Sequence, residues 1–197
     1  MSKAHRRTIA TLSPMSGFSN RVQEIDDLVD ARWEPLRQNS LANRIFYGAS
    51  NLGDFSLIWH LIGGVRALHP RRRAEEALEV SVIMTVESIL VNGMIKRLFK
   101  RSRPGLASDN PTEHHLRQPL TSSFPSGHAS AAFTAAAVLS RGSRVKPLYY
   151  VVAMIVAASR IHVRLHHVSD VAGGVVTGIA LGRVASRALD ELTTATS

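Results

Sequence analysis

The chain has 197 residues, 45% of them hydrophobic, and a formal net charge of +9, which is long enough for one domain with its own core. The excess of Lys and Arg favours an anionic partner (nucleic acid, anionic lipid or a phosphorylated substrate) without choosing among them. The absence of cysteine excludes disulfides, thiol catalysis and cysteine-ligated zinc.

The N-terminal part of the chain is polar and charged. Residues 1–20 are predicted to form a flexible polar tail. Residues 21–45 are predicted to form a helix whose apolar positions include Val22, Ile25 and Trp33. Its other face carries too many charges to cross a bilayer. We therefore expect an amphipathic helix at the membrane interface, with Trp33 at headgroup depth; a solvated or docked helix is the alternative.

Five apolar stretches follow, each close to the ~20 residues that cross a hydrocarbon core. Polar or charged residues interrupt them or lie at their ends, and in a membrane such residues face a bundle interior or a polar cavity. The sequence therefore predicts an all-α fold, a helical transmembrane bundle of about five spans within residues 46–190, with a soluble helical bundle as the alternative. The stretches are residues 47–68, 76–97, 126–141, 146–163 and 168–187, and the polar residues include Asp54, Glu79, Glu87, Asn92, His128, Arg160 and Asp170.

Small residues mark one face of the last stretch. Gly174, Gly178 and Gly182 recur every four residues, which lets a neighbouring backbone approach closely. We predict close packing against another helix of the same chain rather than a dimer seam.

Three polar clusters, each at the end of an apolar stretch, suit the binding of a phosphate. The charge on a phosphoryl group in transfer needs fixed cations or N–H donors. Lys96, Arg103 and Arg160 supply cations, and the guanidinium fork of arginine matches two phosphate oxygens. A turn at Ser126-Gly127 would aim the first N–H groups of a helix at the anion, and the Ser126 hydroxyl would add a donor.

Two histidines divide the predicted chemistry. His166 and Asp170 are four residues apart, so on a helix they share a face. A carboxylate there holds the imidazole by one nitrogen and leaves the other free to attack phosphorus. His128, from another segment, is predicted to protonate the leaving oxygen as general acid. The pattern predicts a double displacement in which His166 takes the phosphoryl group and water then hydrolyses the phosphohistidine.

The three clusters resemble the signature motifs of the type 2 phosphatidic acid phosphatase family, which also includes the vanadium haloperoxidases. The resemblance covers about residues 47–187, and the three motifs follow in the family's order. They are Lys96, six residues, Arg103-Pro104; Pro125-Ser126-Gly127-His128; and Ser159-Arg160, five residues, His166, three residues, Asp170.

The resemblance implies a core of six transmembrane helices and chemistry without a metal or other cofactor. This chain departs from that core at its first helix, because residues 22–41 cannot span. It departs again after the nucleophile, where similar members often have Tyr-Pro and this chain has His167 and Val168, a difference that bears on substrate contacts. The implied phosphate ligands are Lys96, Arg103, Ser126, Gly127 and Arg160; His166 is the implied nucleophile, Asp170 its partner and His128 the acid.

Other polar residues have simpler interpretations. We expect an interfacial basic cluster formed by Arg97, Lys100 and Arg101. The three arginines at residues 71–73 are expected to set the membrane topology or to contact lipid headgroups. Adjacent histidines in the polar loop 99–125 are expected to be solvated rather than to bind metal. Isolated polar residues in the first two stretches are expected to form hydrogen bonds within the bundle. The loop histidines are His114 and His115, and the bundle residues are Asp54, His60, Glu87 and Asn92.

The predicted function is an integral-membrane lipid phosphate phosphatase, multi-pass in the plasma membrane and independent of metal. Candidate substrates are polyprenyl diphosphate, a polyprenyl-phosphoryl sugar phosphate, phosphatidylglycerophosphate and phosphatidic acid. The expected partners are the lipid substrate and the bilayer, not nucleic acid, and the sequence leaves the oligomeric state open. One alternative is a vanadium-dependent haloperoxidase-like enzyme, and another is a non-catalytic membrane protein that binds anionic lipid.

Charge distribution predicts the face of the membrane that carries the site. With five spans, the N-terminal tail, the 99–125 loop and the 160–170 cluster share one side, which holds fifteen of the 24 Lys and Arg residues. Cytoplasmic loops carry such an excess, so we expect a cytoplasmic active site. Reporter fusions at both ends of the chain test this expectation, and an exported N-terminus would refute it.

Overall fold

The computed structural model describes residues 14–68, 75–104 and 121–195, with side chains from residue 19 onward. Every regular element in these ranges is helical, so the prediction of an all-α fold is confirmed. The predicted roles of residues 71–73 and of His114 and His115 fall outside the described residues. The helices are α1 (Pro14–Arg37), α2 (Ser40–Gly53), α3 (Leu57–Ala67), α4 (Glu75–Ser88), α5 (Gly127–Leu139), α6 (Lys146–His162) and α7 (Val168–Ala195).

The predicted helix over residues 21–45 corresponds to most of α1 and the beginning of α2, and α1 begins earlier, at Pro14, within the range predicted as a tail. The chain turns between them because Asn39 caps α2, its side-chain oxygen accepting hydrogen bonds from Leu41 N and Ala42 N at 3.0 Å. Helix α1 lies against α6 and α7. This arrangement brings the N-terminal helix to the end of the bundle where the polar clusters meet.

The first predicted span is a helix with a break rather than one continuous helix. Between α2 and α3, Asp54–Ser56 form a short 3-10 segment in which Phe55 and Ser56 have left-handed φ values of 53° and 58°. Non-glycine residues seldom adopt this conformation, and a pair of them indicates that tertiary contacts impose the local geometry. The break turns Asp54 towards His128 on helix α5.

The second predicted span also changes its helical form. Helix α4 continues as a π-helix over Ile89–Met94 and then as a 3-10 helix over Ile95–Leu98. π-turns are rare and cluster at functional sites, so the π-helix indicates that this segment borders a functional site. In the 3-10 segment, the side chain of Lys96 is buried in the bundle, whereas that of Leu98, two residues later, is exposed.

The core is built around α5, which is rich in alanine and buried along almost its whole length. Helix α7 packs closely against it, as the glycine spacing predicts. A Cβ atom at Gly174 would lie 2.4 Å from Ser126 O, and one at Gly178 would lie 2.3 Å from Ser130 O. The predicted packing within one chain is therefore confirmed.

The outer faces of the bundle are apolar. Soluble proteins seldom expose large apolar patches, whereas a lipid-facing surface requires them. The continuous helix Glu75–Leu98 and helix α7 are each long and apolar enough to cross a membrane, and α5 is a shorter apolar helix. Exposed apolar residues on these faces include Leu61, Val65, Val82, Val86, Val151, Met154, Val176 and Val184.

We expect Gly178→Ala to destabilise the bundle, because its new methyl group meets a backbone oxygen that cannot move independently of α5. Overpacking of this kind costs about 1–3 kcal/mol, and the midpoint of thermal unfolding in detergent should fall by about 5 °C. Gly64→Ala is the matched control, since a Cβ atom there has no described neighbour within 4 Å. Equal midpoints for the two variants would contradict the proposed constraint on α5 and α7.

Candidate active site

A cavity of about 620 Å³ opens between the α2–α3 break, α4 with its π-helix, and the N-terminus of α5. It brings together six of the eight predicted site residues, and these six come from all three motifs. The six are Lys96, Arg103, Gly127, His128, Arg160 and His166. The other two, Ser126 and Asp170, are buried behind the cavity wall.

The predicted nucleophile has the orientation that its role needs. His166 lies in the turn between α6 and α7, not on a helix as the spacing to Asp170 suggests, and Asp170 lies in the first turn of α7. His166 Nε2 is 3.1 Å from Arg103 Nη1, while Nδ1 is 3.8 Å from Asp170 Oδ2. The latter distance exceeds a hydrogen bond, and such catalytic contacts commonly tighten when substrate binds. Burial lowers the pKa of His166 to about 3, so the imidazole is neutral and nucleophilic at neutral pH.

His167 competes with His166 for the same carboxylate oxygen. Its backbone N–H donates to Asp170 Oδ2 at 2.9 Å, and its Nδ1 lies 3.2 Å from that atom. These contacts orient the Asp170 carboxylate, although His167 does not line the cavity. The two adjacent histidines therefore have different surroundings, with one ring facing the cavity and the other lying beside the carboxylate.

Three buried cations converge on the cavity. Arg103 Nη1 donates to Leu165 O at 2.7 Å, which fixes the guanidinium beside His166. Arg160 Nη1 donates to the Ser50 hydroxyl at 2.5 Å, and its Nε has no partner among the described residues. Lys96 is 6% exposed. Burying three like charges is costly unless an anion compensates them, so this region of the cavity suits an oxyanion.

The predicted helix start at the second motif is present. Ser126 is the N-cap of α5, and its hydroxyl accepts from Ala129 N at 3.5 Å. The hydroxyl is therefore used within the helix cap. Ser126 N donates to Asp170 O at 3.0 Å, which joins the first turns of α5 and α7. A Cβ atom at Gly127 would lie 2.6 Å from Asn92 Oδ1, so glycine lets the π-helix approach this turn.

His128 has a carboxylate partner that the sequence motifs do not include. His128 Nε2 lies 2.9 Å from Asp54 Oδ1, at the break in the first span. A Cβ atom at Gly53 would lie 2.6 Å from the His128 ring, so glycine is needed there. The expected network role of Asp54 thus extends into the cavity. His60, also expected to join a network, is 3.0 Å from the Ser81 hydroxyl through Nδ1.

The interpretation of Arg101 as part of an interfacial basic cluster is wrong. Arg101 Nη1 donates to Asp170 Oδ1 at 2.6 Å, and Arg101 Nη2 donates to Asp26 Oδ2. Asp26 comes from α1, and its side chain is fully buried. Sequence patterns do not identify either residue, because Arg101 stands in a run of basic residues and Asp26 among the charges of an amphipathic helix.

Comparison with known proteins identifies the family. The profile of the PAP2 superfamily matches residues 76–193. Decaprenylphosphoryl-5-phosphoribose phosphatase of Mycobacterium tuberculosis is 34% identical over 139 residues, which cover 70% of this chain and 75% of that protein. Phosphatidylglycerophosphatase B of Bacillus subtilis is 28% identical over 176 residues, which cover 83% of this chain and 82% of that protein.

Two solved structures share the fold. The transmembrane PAP2-type phosphatidylglycerolphosphate phosphatase of Bacillus subtilis has a TM-score of 0.64 and 25% identity, with 87% of each chain covered. LpxE of Aquifex aeolicus has a TM-score of 0.62 and 25% identity, with 80% of this chain and 93% of that chain covered. These relatives agree with the apolar outer faces of the bundle, and the predictions of a transmembrane helical bundle and of a phosphatase are confirmed. This chain belongs to the PAP2 superfamily and is a membrane phosphatase that hydrolyses phosphoric monoesters.

Proposed function

We propose that this multi-pass enzyme of the plasma membrane removes the terminal phosphate of a lipid-linked phosphomonoester through a phosphohistidine at His166. One observation carries the proposal: His166 Nε2 faces the cavity 3.1 Å from Arg103 Nη1, with Lys96 and Arg160 lining the same space. A neutral nucleophile beside fixed cations is the arrangement that phosphoryl transfer requires.

In the first step, the lone pair of His166 Nε2 attacks phosphorus and the ester P–O bond breaks. His128 donates a proton to the leaving alkoxide, so the alcohol departs neutral. The imidazole of His166 gains positive charge as the P–N bond forms, and the Asp170 carboxylate beside Nδ1 stabilises it. Arg103, Arg160 and Lys96 stabilise the charge on the equatorial phosphoryl oxygens.

In the second step, His128 accepts a proton from water as the water oxygen attacks phosphorus. The P–N bond breaks, inorganic phosphate leaves and His166 returns to its neutral form. Asp54, whose Oδ1 lies 2.9 Å from His128 Nε2, stabilises the protonated ring electrostatically. Every group required is a side chain of the chain itself, so the reaction is proposed to proceed without a metal.

The lining of the cavity favours a phosphate carried on a hydroxylated headgroup. Beyond the cations, the wall towards the α2–α3 break and α4 bears, beside the carboxyl groups of Asp54 and Glu87, polar side chains suited to hydroxyl groups. The similarity to a phosphatase of a decaprenylphosphoryl phosphoribose and to a phosphatidylglycerophosphatase supports the same class of substrate. We therefore favour a polyprenyl-phosphoryl sugar phosphate or phosphatidylglycerophosphate over polyprenyl diphosphate and phosphatidic acid. The polar wall residues are Ser56, His60, Thr85, Ser88 and Asn92.

Phosphate release by the detergent-purified enzyme, with EDTA present, tests the reaction across these four lipids. We expect release from one of the two favoured lipids. His166→Ala should abolish it, whereas His167→Ala should retain measurable turnover, because its ring lies outside the cavity. Alkaline quenching should trap a base-stable phosphoenzyme in the wild type and in His167→Ala. A phosphoenzyme that persists in His166→Ala would refute the assignment of the nucleophile.

His128→Ala tests the general acid through the leaving group. We expect a loss of about 10²–10⁴-fold in kcat on the lipid substrate, whose alkoxide needs a proton to leave. The loss should be much smaller on a nitrophenyl phosphate, because its phenolate leaves without protonation. Asp54→Asn should show the same selectivity with a smaller loss. Equal losses on both substrates would assign His128 to substrate binding instead.

A further inference from the structure

Helix α1 contributes a fully buried carboxylate next to the catalytic groups. Asp26 lies outside residues 76–193, the segment that the family profile matches, and its side chain is 0% exposed. Asp26 Oδ1 accepts from Ser169 N at 2.9 Å, and Oδ2 accepts from the Ser169 hydroxyl at 2.7 Å and from Arg101. A buried charge persists when its hydrogen-bonding capacity is filled in this way.

Arg101 links this carboxylate to Asp170. Its guanidinium lies between the two acids, with Nη2 on Asp26 and Nη1 on Asp170 Oδ1 at 2.6 Å. The cluster of one arginine and two carboxylates has a net charge of −1. Removing the charge of Asp26 would leave Arg101 paired with Asp170 alone, and that neutral pair would stabilise a cationic His166 less well.

Asp26 also holds the first turn of the helix that carries Asp170. The Ser169 N–H belongs to the N-terminal turn of α7, where backbone donors lack partners within the helix. A carboxylate placed there satisfies the donor and interacts favourably with the helix dipole. The direction of Asp170 towards His166 therefore depends on Asp26 in two ways, through the position of Arg101 and through the start of α7.

We propose that Asp26 is a positioning residue for Asp170, acting through Arg101 and the Ser169 N–H, so that the N-terminal helix completes the active site. This inference rests on the proposed function, in which Asp170 stabilises a phosphorylated His166. Asp26 does not line the cavity among the described residues, so it acts on the rate of the chemical step and leaves substrate binding unchanged.

Other contacts keep α1 in place when Asp26 is altered. Trp33 Nε1 donates to His162 Nδ1 at 3.1 Å, and Arg37 donates to the carbonyl oxygens of Ile161 and His162 at 2.9 and 3.0 Å. These bonds hold α1 on the C-terminal end of α6. Asp26→Asn, which preserves the shape of the side chain, therefore separates the positioning of Asp170 from the docking of the helix.

The test compares Asp26→Asn with Asp27→Asn in the detergent-purified full chain. Asp27 is the matched control, because it is the exposed neighbour and contacts Gln23. We expect Asp26→Asn to lower kcat about 10–100-fold, with KM and inhibition by inorganic phosphate unchanged. The amide N–H groups of asparagine would face donors that the carboxylate accepted from, so the unfolding midpoint should fall, while the variant stays folded at the assay temperature. Rapid quenching should locate the loss in phosphoenzyme formation. Asp27→Asn should match the wild type.

A double-mutant cycle with Arg101→Gln tests the route of the effect. If Asp26 acts mainly through Arg101, Asp26→Asn should cost much less in the Arg101→Gln background, because residues that share a network are not additive. Equal costs in both backgrounds would overturn the route through Arg101. A wild-type kcat in Asp26→Asn, either directly or after activity is divided by the fraction of enzyme folded at the assay temperature, would overturn the positioning role. If the wild type releases no phosphate from any lipid, the proposed function fails instead.

Discussion

The close approach of α5 and α7 is the constraint on which the rest of the site depends. Gly174 and Gly178 have no side chain that would separate the two backbones, and Ser126 N donates to Asp170 O where both helices begin. Helix α5 carries His128 and α7 carries Asp170, so their register sets the relation between the acid and the partner of the nucleophile. A small shift along this interface would misalign both groups, and misplacements of about 1 Å are sufficient to reduce catalysis strongly.

The irregular parts of the bundle occur where it surrounds the cavity. Non-helical backbone is costly in a bilayer unless it lines a polar space or is buried in protein. The break at Asp54–Ser56 and the π-helix at Ile89–Met94 both border the cavity. The first presents Asp54 to His128, and the second lets Asn92 approach Gly127. The 3-10 segment that follows the π-helix buries Lys96. In both places, the contacts around the cavity account for the departure from regular helix.

Much of this arrangement could be predicted from the sequence, because helical periods and motif spacing are local properties. The five apolar stretches correspond to helices, and Lys96, Arg103 and Arg160 meet in one cavity although they are far apart in the chain. The exact number of spans and the roles of the site residues remain predictions. The left-handed backbone at Phe55 and Ser56 could not be predicted, since neither residue favours it and tertiary contacts impose it.

Asp26 and Arg101 were beyond sequence reasoning for a related reason, and Asp54 was expected to join a network in the bundle but not to be the partner of His128. A charged residue on an amphipathic helix or in a basic run usually faces water, so its type does not reveal burial. Their partners come from distant segments, and no spacing rule connects them. The motif also gave no sign that the Ser126 hydroxyl oxygen accepts the cap bond of α5; its predicted role as a donor to phosphate remains a prediction.

The contacts of Asp26 also bear on how the protein matures. Asp26 and Ser169 are separated by 143 residues, and Arg101 lies between them in the chain. During synthesis, α1 leaves the ribosome long before the segment that satisfies its buried carboxylate. Asp26 must therefore remain hydrated until α7 has been made, because an unpaired carboxylate is costly to bury. The N-terminal helix can then complete its docking only after the start of the last helix is in place, so the complete active site would be among the last parts of the enzyme to form.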